Sequence, residues 1–147
     1  MAYTNIDDPS AYFQIALHAS SNSATITNDG NSDLKPDFLW SKAYSYPFYG
    51  AIWDSTRGVT KYFVPSSGAG DGTSSSGYDL ISFNTDGFST GNNQFNTICG
   101  NTPYVAWQWK CNGGTRTTFT ESGDNPGGGY QANTTAGFSI VDYTGTQ

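Results

Sequence analysis

Residues 53–65 read Trp53-Asp54-Ser55-Thr56-Arg57-Gly58-Val59-Thr60-Lys61-Tyr62-Phe63-Val64-Pro65, a turn and a strand in immediate succession. Asp54, Ser55 and Thr56 have short polar side chains that bond nearby backbone, and Gly58 is free to take positive φ, so 54–58 predicts a tight turn. From Val59 to Val64 the β-branched and aromatic residues dominate, and Pro65 then withholds the donor that would continue a ladder. Tyr49 to Trp53 supplies an opposing strand, which sets 54–58 at the tip of a hairpin.

The rest of the chain has the same grammar. It has 147 residues and 35% apolar content, enough for one core and too little for two. Aromatic residues make up 16% and charged residues only 12%, with 18 glycines between them. That mixture suits short strands joined by many turns, and no apolar period of 3.6 is sustained over three turns. The expected fold class is all-β.

A net charge of −6 with six basic residues in all leaves no electropositive face, so nucleic acid is excluded as a partner. No run is long and apolar enough to span a bilayer, and Met1 to Asn5 lacks the basic and apolar regions of a secretory signal. Cys99 and Cys111 could flank a strand and bridge, but two cysteines in a chain made without such a signal are more often free and buried.

Residues 1–10, with the Asp8-Pro9 turn signal, are expected to form an N-terminal arm. In the first strand Phe13, Ile15 and Leu17 alternate with Gln14, Ala16 and His18, which predicts a half-buried strand with His18 opposite the apolar set. Ala24 to Thr27 and Pro36 to Lys42 are the next strands. An aromatic loop holds Tyr44, Tyr46, Phe48 and Tyr49. The Gly/Ser stretch 66–77 predicts an exposed loop, and Asp86-Gly87 predicts a hairpin between Leu80–Phe83 and Phe88. Residues 102–111 show the clearest alternation, with Trp107 and Trp109, like Trp40, expected in the core. The assignment is therefore a β domain over 11–114, a Gly/Thr-rich linker over 115–135 containing the Pro126–Gly129 run, and a last strand in 136–147. Ala136 to Gly145 repeats the apolar pattern of Ala11 to Ser20, so that strand reads as the start of a second unit.

Four segments, Lys35–Trp40, Trp53–Tyr62, Ser82–Phe88 and Tyr104–Lys110, together resemble a domain of unassigned activity in surface proteins of tailed phages of marine bacteria and cyanobacteria. The likeness extends over nearly the whole chain, from Ile6–Gln14 to Ala136–Val141. It implies an antiparallel β-sandwich, lectin-like or jelly-roll-like, on a virion surface, in a tail fibre or as capsid decoration. Such a protein is made in the host cytoplasm. The resemblance brings no catalytic residues.

The residues themselves give little to catalysis. His18 is the single histidine and has no nucleophile elbow to serve, and Glu121 is the single glutamate, in a glycine-flanked loop. Asp29 to Asp33 alternates oxygen-bearing side chains as a calcium loop begins, but the same residues make an ordinary polar turn. No enzyme activity, metal or cofactor is expected. Sugar binding has more support, because pyranose C–H faces stack on flat rings while Asp and Asn bond hydroxyls. Tyr44, Tyr46, Tyr49, Trp53 and Asp54 are the candidates for host-surface glycan. Arg57 is expected to pair with Asp54 or Asp86. The partners expected are other virion proteins and the chain itself. Phe138, Ile140 and Val141 of an unpaired last strand would pack in a homo-oligomer, a trimer first.

Overall fold

The strand of strongest alternation, β9 (Tyr104–Trp109), is central in the computed structural model, which describes residues 6–19 and 22–145. It pairs antiparallel with β1 (Phe13–His18) on one side and β3 (Phe38–Ala43) on the other. With β4 (Ala51–Asp54) beside β3, these form a sheet in the order β1-β9-β3-β4. A second sheet has β8 (Phe88–Thr90) between β2 (Ala24–Ile26) and β7 (Leu80–Phe83). Among the described residues the only helical element is a 3-10 turn at Pro9–Ala11, capped by the Asp8 carboxylate on Ser10 N. The fold is all-β and sandwich-like, as the composition requires.

The two sheets enclose the core. Leu39, Ala51, Trp53, Ala16 and Ala106 from the first meet Ile26, Leu80 and Phe88 from the second, and Ile98 and Cys99 close the end. Each large apolar side chain buried here gains roughly 1.5–3 kcal/mol over exposure. Cys99 and Cys111 are free and buried, and burial pushes the Cys99 thiol up to about 12.

Both turn signals have the expected form. Gly58 N donates to Asp54 O at 3.0 Å with Gly58 at φ +86, and Asn84 N donates to Gly87 O at 2.9 Å with Gly87 at φ +87. The strand after Gly58 is shorter than its composition suggests. Only β5 (Lys61–Tyr62) is regular, and it pairs with β6 (Gly72–Thr73) from the Gly/Ser loop. The hairpin to β4 is a single bridge, Ile52 to Phe63. Arg57 pairs with Asp54 and Asp71, both at 2.6 Å.

The facing of the central sheet is the reverse of the expected one. Gln14 and Ala16 are buried, while Phe13, Ile15 and Leu17 point outward, Leu17 at 70% exposure. On β9 the inward residues are Tyr104, Ala106 and Gln108, and Trp107 and Trp109 lie half-buried on the outer face with Trp40. The inner slot is already filled by Trp53, Leu39 and Phe88, so small and polar residues fit beside them. Gln14 uses that position to fasten a loop: Nε2 donates to Ser10 O and Ser32 O, and Oε1 accepts from Gly30 N. The oxygen-rich segment 29–33 is thus a fastened turn.

The expected linker 115–135 holds two strands, β10 (Thr117–Phe119) and β11 (Gly128–Asn133), and the last strand, β12 (Phe138–Tyr143), pairs with β11 over six residues. The final strand is not unpaired. Gly128 and Gly129 serve close approach rather than flexibility: a Cβ at Gly128 would lie 2.1 Å from Asp142 O, and one at Gly129 would lie 2.2 Å from Arg116 Cζ. Arg116 is thereby free to grip Asp142 with two bonds, Nε to Oδ1 at 2.9 Å and Nη2 to Oδ2 at 2.5 Å.

Two buried side chains hold the segment after β9, and one of them, Gln131 of β11, fixes this third sheet to the sandwich. Asp37 accepts from Ser55 Oγ at 2.7 Å, Cys111 N at 2.7 Å and Gly113 N at 2.9 Å. Gln131 accepts from Asn112 N and Gly114 N and donates to Ser55 Oγ and Thr56 Oγ1.

Candidate functional site

The aromatic loop between β3 and β4 is exposed, as its composition predicts. Tyr44, Tyr46 and Tyr49 are all more than half exposed. The loop is nonetheless anchored. Lys42 Nζ donates to Ala43 O at 2.6 Å and Tyr46 O at 3.3 Å, Tyr44 N donates to Pro103 O, and the Ser45 and Thr102 hydroxyls meet at 3.0 Å. Tyr46 and Phe48 stack with centroids 5.6 Å apart and planes 14° from parallel. An anchored pair of rings offers a flat apolar surface at little cost in ordering.

Across from these rings runs an asparagine-rich loop. Asn93 Nδ2 donates to Asn96 Oδ1 and Asn96 N to Asn93 Oδ1, both at 2.8 Å, while Asn93 N donates to Asn22 Oδ1 at 3.1 Å. Asn96 takes φ +54, a left-handed conformation that asparagine tolerates. Gly100, at φ +146, has no space for a side chain: a Cβ would stand 2.8 Å from Asn96 Oδ1 and 2.9 Å from Tyr104 OH. The cleft between rings and amides has a volume of about 460 Å³ and is walled by Tyr46 and Phe48 on one side and by Asn22, Asn93, Asn96, Asn101 and Thr102 on the other. Among the described residues no charged side chain lines it. Such a surface can stack one face of a ring and exchange hydrogen bonds with neutral hydroxyl or amide groups.

The five glycan candidates therefore separate. Tyr46 lines the cleft, and Tyr44 and Tyr49 are exposed on the same loop outside its lining. Trp53 is fully buried in the core, and Asp54 is buried with its carboxylate taken by Thr56 N, Arg57 N and Arg57 Nε. Neither can touch a glycan. Both sit under the turn that marked them out, because a hairpin base must bury its apolar residue and cap its own backbone. The asparagines were missed by sequence reasoning. Their signal was present as four asparagines between Asn92 and Asn101, spaced around a glycine.

Of the interface candidates, Phe138 and Ile140 face inward along β12 and Val141 faces solvent. Phe138 and Ile140 border a groove of about 540 Å³ between β12 and the β4 edge, with Phe38, Ile52 and Phe63 opposite. His18 packs on Tyr104 and against the edge of Phe88, and burial lowers its pKa to about 4. Glu121 is exposed in the loop between β10 and β11.

These features define an all-β sandwich-like domain with a third sheet fastened to one end and an uncharged aromatic and amide cleft at the surface. The chain belongs to a family described as a domain of unknown function (DUF7483), whose profile matches residues 8–147. Neither a curated protein nor a solved structure matches the chain.

Proposed function

We propose that this domain is a non-enzymatic glycan-binding module carried on the surface of a phage virion, in a tail fibre or as capsid decoration. The observation that carries the glycan reading is the cleft beside Tyr46 and Phe48: a stacked aromatic wall faces asparagine amides, with no carboxylate among the described residues that line it. Sugar rings have that complementary character, an apolar C–H face edged by neutral donors and acceptors. Glycoside cleavage needs two carboxyl groups flanking one bond, which favours binding over hydrolysis at this site. The virion setting rests on the resemblance of the four sequence segments to phage surface domains. The same cleft on a cellular adhesin would make the domain a carbohydrate-binding module of that protein.

A glycan array followed by titration calorimetry tests this reading. The wild-type chain should bind at least one neutral glycan without turning it over. Tyr46→Ala and Asn101→Ala should each weaken binding by about tenfold or more, the loss of roughly 1.4 kcal/mol, while Tyr49→Ala should change it little. Binding that survives Tyr46→Ala, turnover of the bound glycan, or absence of binding across the array would refute it.

A further inference from the structure

The hydrogen bonds inside the asparagine loop decide which end of each amide is taken. A backbone N–H can only donate, so the atoms that meet Asn93 N and Asn96 N must be the carbonyl oxygens of Asn22 and Asn93. With its Oδ1 so placed, Asn93 presents Nδ2 to Asn96, which must answer with Oδ1. Three amides are thereby oriented from the backbone outward. Each of their carbonyls holds one bond, and among the described residues the Nδ2 groups of Asn22 and Asn96 hold none. Both residues line the cleft beside Tyr46 and Phe48, so its fixed polar groups are weighted toward open donors. Gly100 protects the arrangement, since a Cβ there would stand 2.8 Å from Asn96 Oδ1 and 3.3 Å from Asn93 Nδ2.

We propose that the cleft takes an N-acetylhexosamine, whose acetamido carbonyl is the acceptor for the open Nδ2 donors while its methyl group and ring lie on the Tyr46 and Phe48 wall. This inference rests on the glycan reading and narrows it to one class of sugar. A hydroxyl that accepts from Nδ2 still carries a proton that needs an acceptor of its own, and the fixed carbonyls already hold one bond each. An amide carbonyl accepts and has nothing to donate. The acetamido N–H is left to Asn101, which lines the same cleft, is exposed and makes no side-chain bond among the described residues, so it can turn its carbonyl to the ligand.

Charge separates this class from the acidic sugars. Open donors also suit a carboxylate or a sulfate, but no cation stands among the described residues of the lining, and the chain carries −6. An acidic sugar would approach against that field and exchange its water for neutral amides alone.

Chemical-shift titration of the isotope-labelled full chain tests the assignment, using pairs of methyl glycosides that differ only in a 2-acetamido or a 2-hydroxyl group, in the gluco, galacto and manno series. In at least one series the acetamido member should bind about tenfold or more tightly than its partner and should shift the side-chain amide signals of Asn22 and Asn96. Asn22→Asp with Asn96→Asp keeps an oxygen for each internal bond and replaces each open donor by an acceptor. The double variant should bring the two members of the pair within about threefold, with an unchanged circular dichroism spectrum. Asn31→Asp, the same change on the turn fastened by Gln14, should leave the preference intact. Binding without an acetamido preference in any series, a preference that survives the double variant, or tighter binding of methyl glucuronide than of every acetamido glycoside overturns this inference and leaves the glycan reading standing. Binding by none of these glycosides overturns both.

Discussion

The ring of Phe138 lies almost parallel to the indole of Trp109, with centroids 5.8 Å apart and planes 15° from parallel. One residue belongs to the last strand of the chain and the other to its central strand. The contact makes the closing segment part of the same folded unit rather than a tail, and Asp37 and Gln131 reinforce it from beneath through backbone amides of 111–114.

Phe138→Ala should therefore destabilise the whole domain. A half-buried ring lost from an aromatic stack costs about 2 kcal/mol, less than the 3–5 kcal/mol of a fully buried one. Urea unfolding followed by tryptophan fluorescence should show one transition at a lower midpoint. Removing residues 132–147 takes all of β12 and the end of β11, so it should shift the midpoint further. An unchanged midpoint in the truncated chain would show that the third sheet is an independent unit.

Asp37→Ala removes the acceptor for the buried Cys111 N, for the partly buried Gly113 N and for the Ser55 hydroxyl at once. Leaving such donors unpaired costs about 1–3 kcal/mol each before relaxation, so a loss of about 3 kcal/mol is expected. Asp37→Asn keeps one oxygen acceptor and should cost less. Comparable losses in the two variants, measured by thermal or urea unfolding, would mean that the acceptor oxygens are not what matters at this position.

The pH dependence has a definite sign. His18 is the single histidine, and burial lowers its pKa in the folded chain from 6.5 to about 4. Between those values the unfolded chain binds a proton that the folded chain does not, so stability rises with pH across the window and falls as pH drops from about 6.5 toward 4. The loss is at most about 3 kcal/mol. Asp8 and Asp142 are also shifted down, below 3.8, by hydrogen bonds from Ser10 and Arg116, and they add a slope of the same sign in more acidic solution. His18→Phe, which keeps a ring against Tyr104 and Phe88, should flatten the slope between pH 4 and 6.5; a slope that stays the same would assign it to other groups.

The sequence by itself determined the elements whose cause is local. Gly58 and Gly87 specify turns because only a residue without Cβ takes those φ values freely, and β9 is legible because its alternation is unbroken from Tyr104 to Trp109. All-β character follows from the same signals repeated along the chain. The tyrosine loop was legible as exposed aromatic surface. Its partner loop of asparagines was not, since those residues become neighbours of Tyr46 only when β9, which follows them, pairs with β3.

Only the tertiary structure decided which face of each strand is inside. Alternation divides Phe13, Ile15 and Leu17 from Gln14 and Ala16, but it does not say what stands opposite. The inner side of the central sheet is filled by Trp53 and Phe88 from other strands, which leaves room there for alanine and glutamine and turns the larger apolar row outward. Gly128 and Gly129 look like a flexible run for the same reason: in sequence a missing side chain reads as freedom. Beside Asp142 and Arg116 it is the space those groups occupy. A one-dimensional pattern records which residues share a face, whereas burial depends on the volume left by strands distant in sequence, and that volume exists only once the sheets have packed.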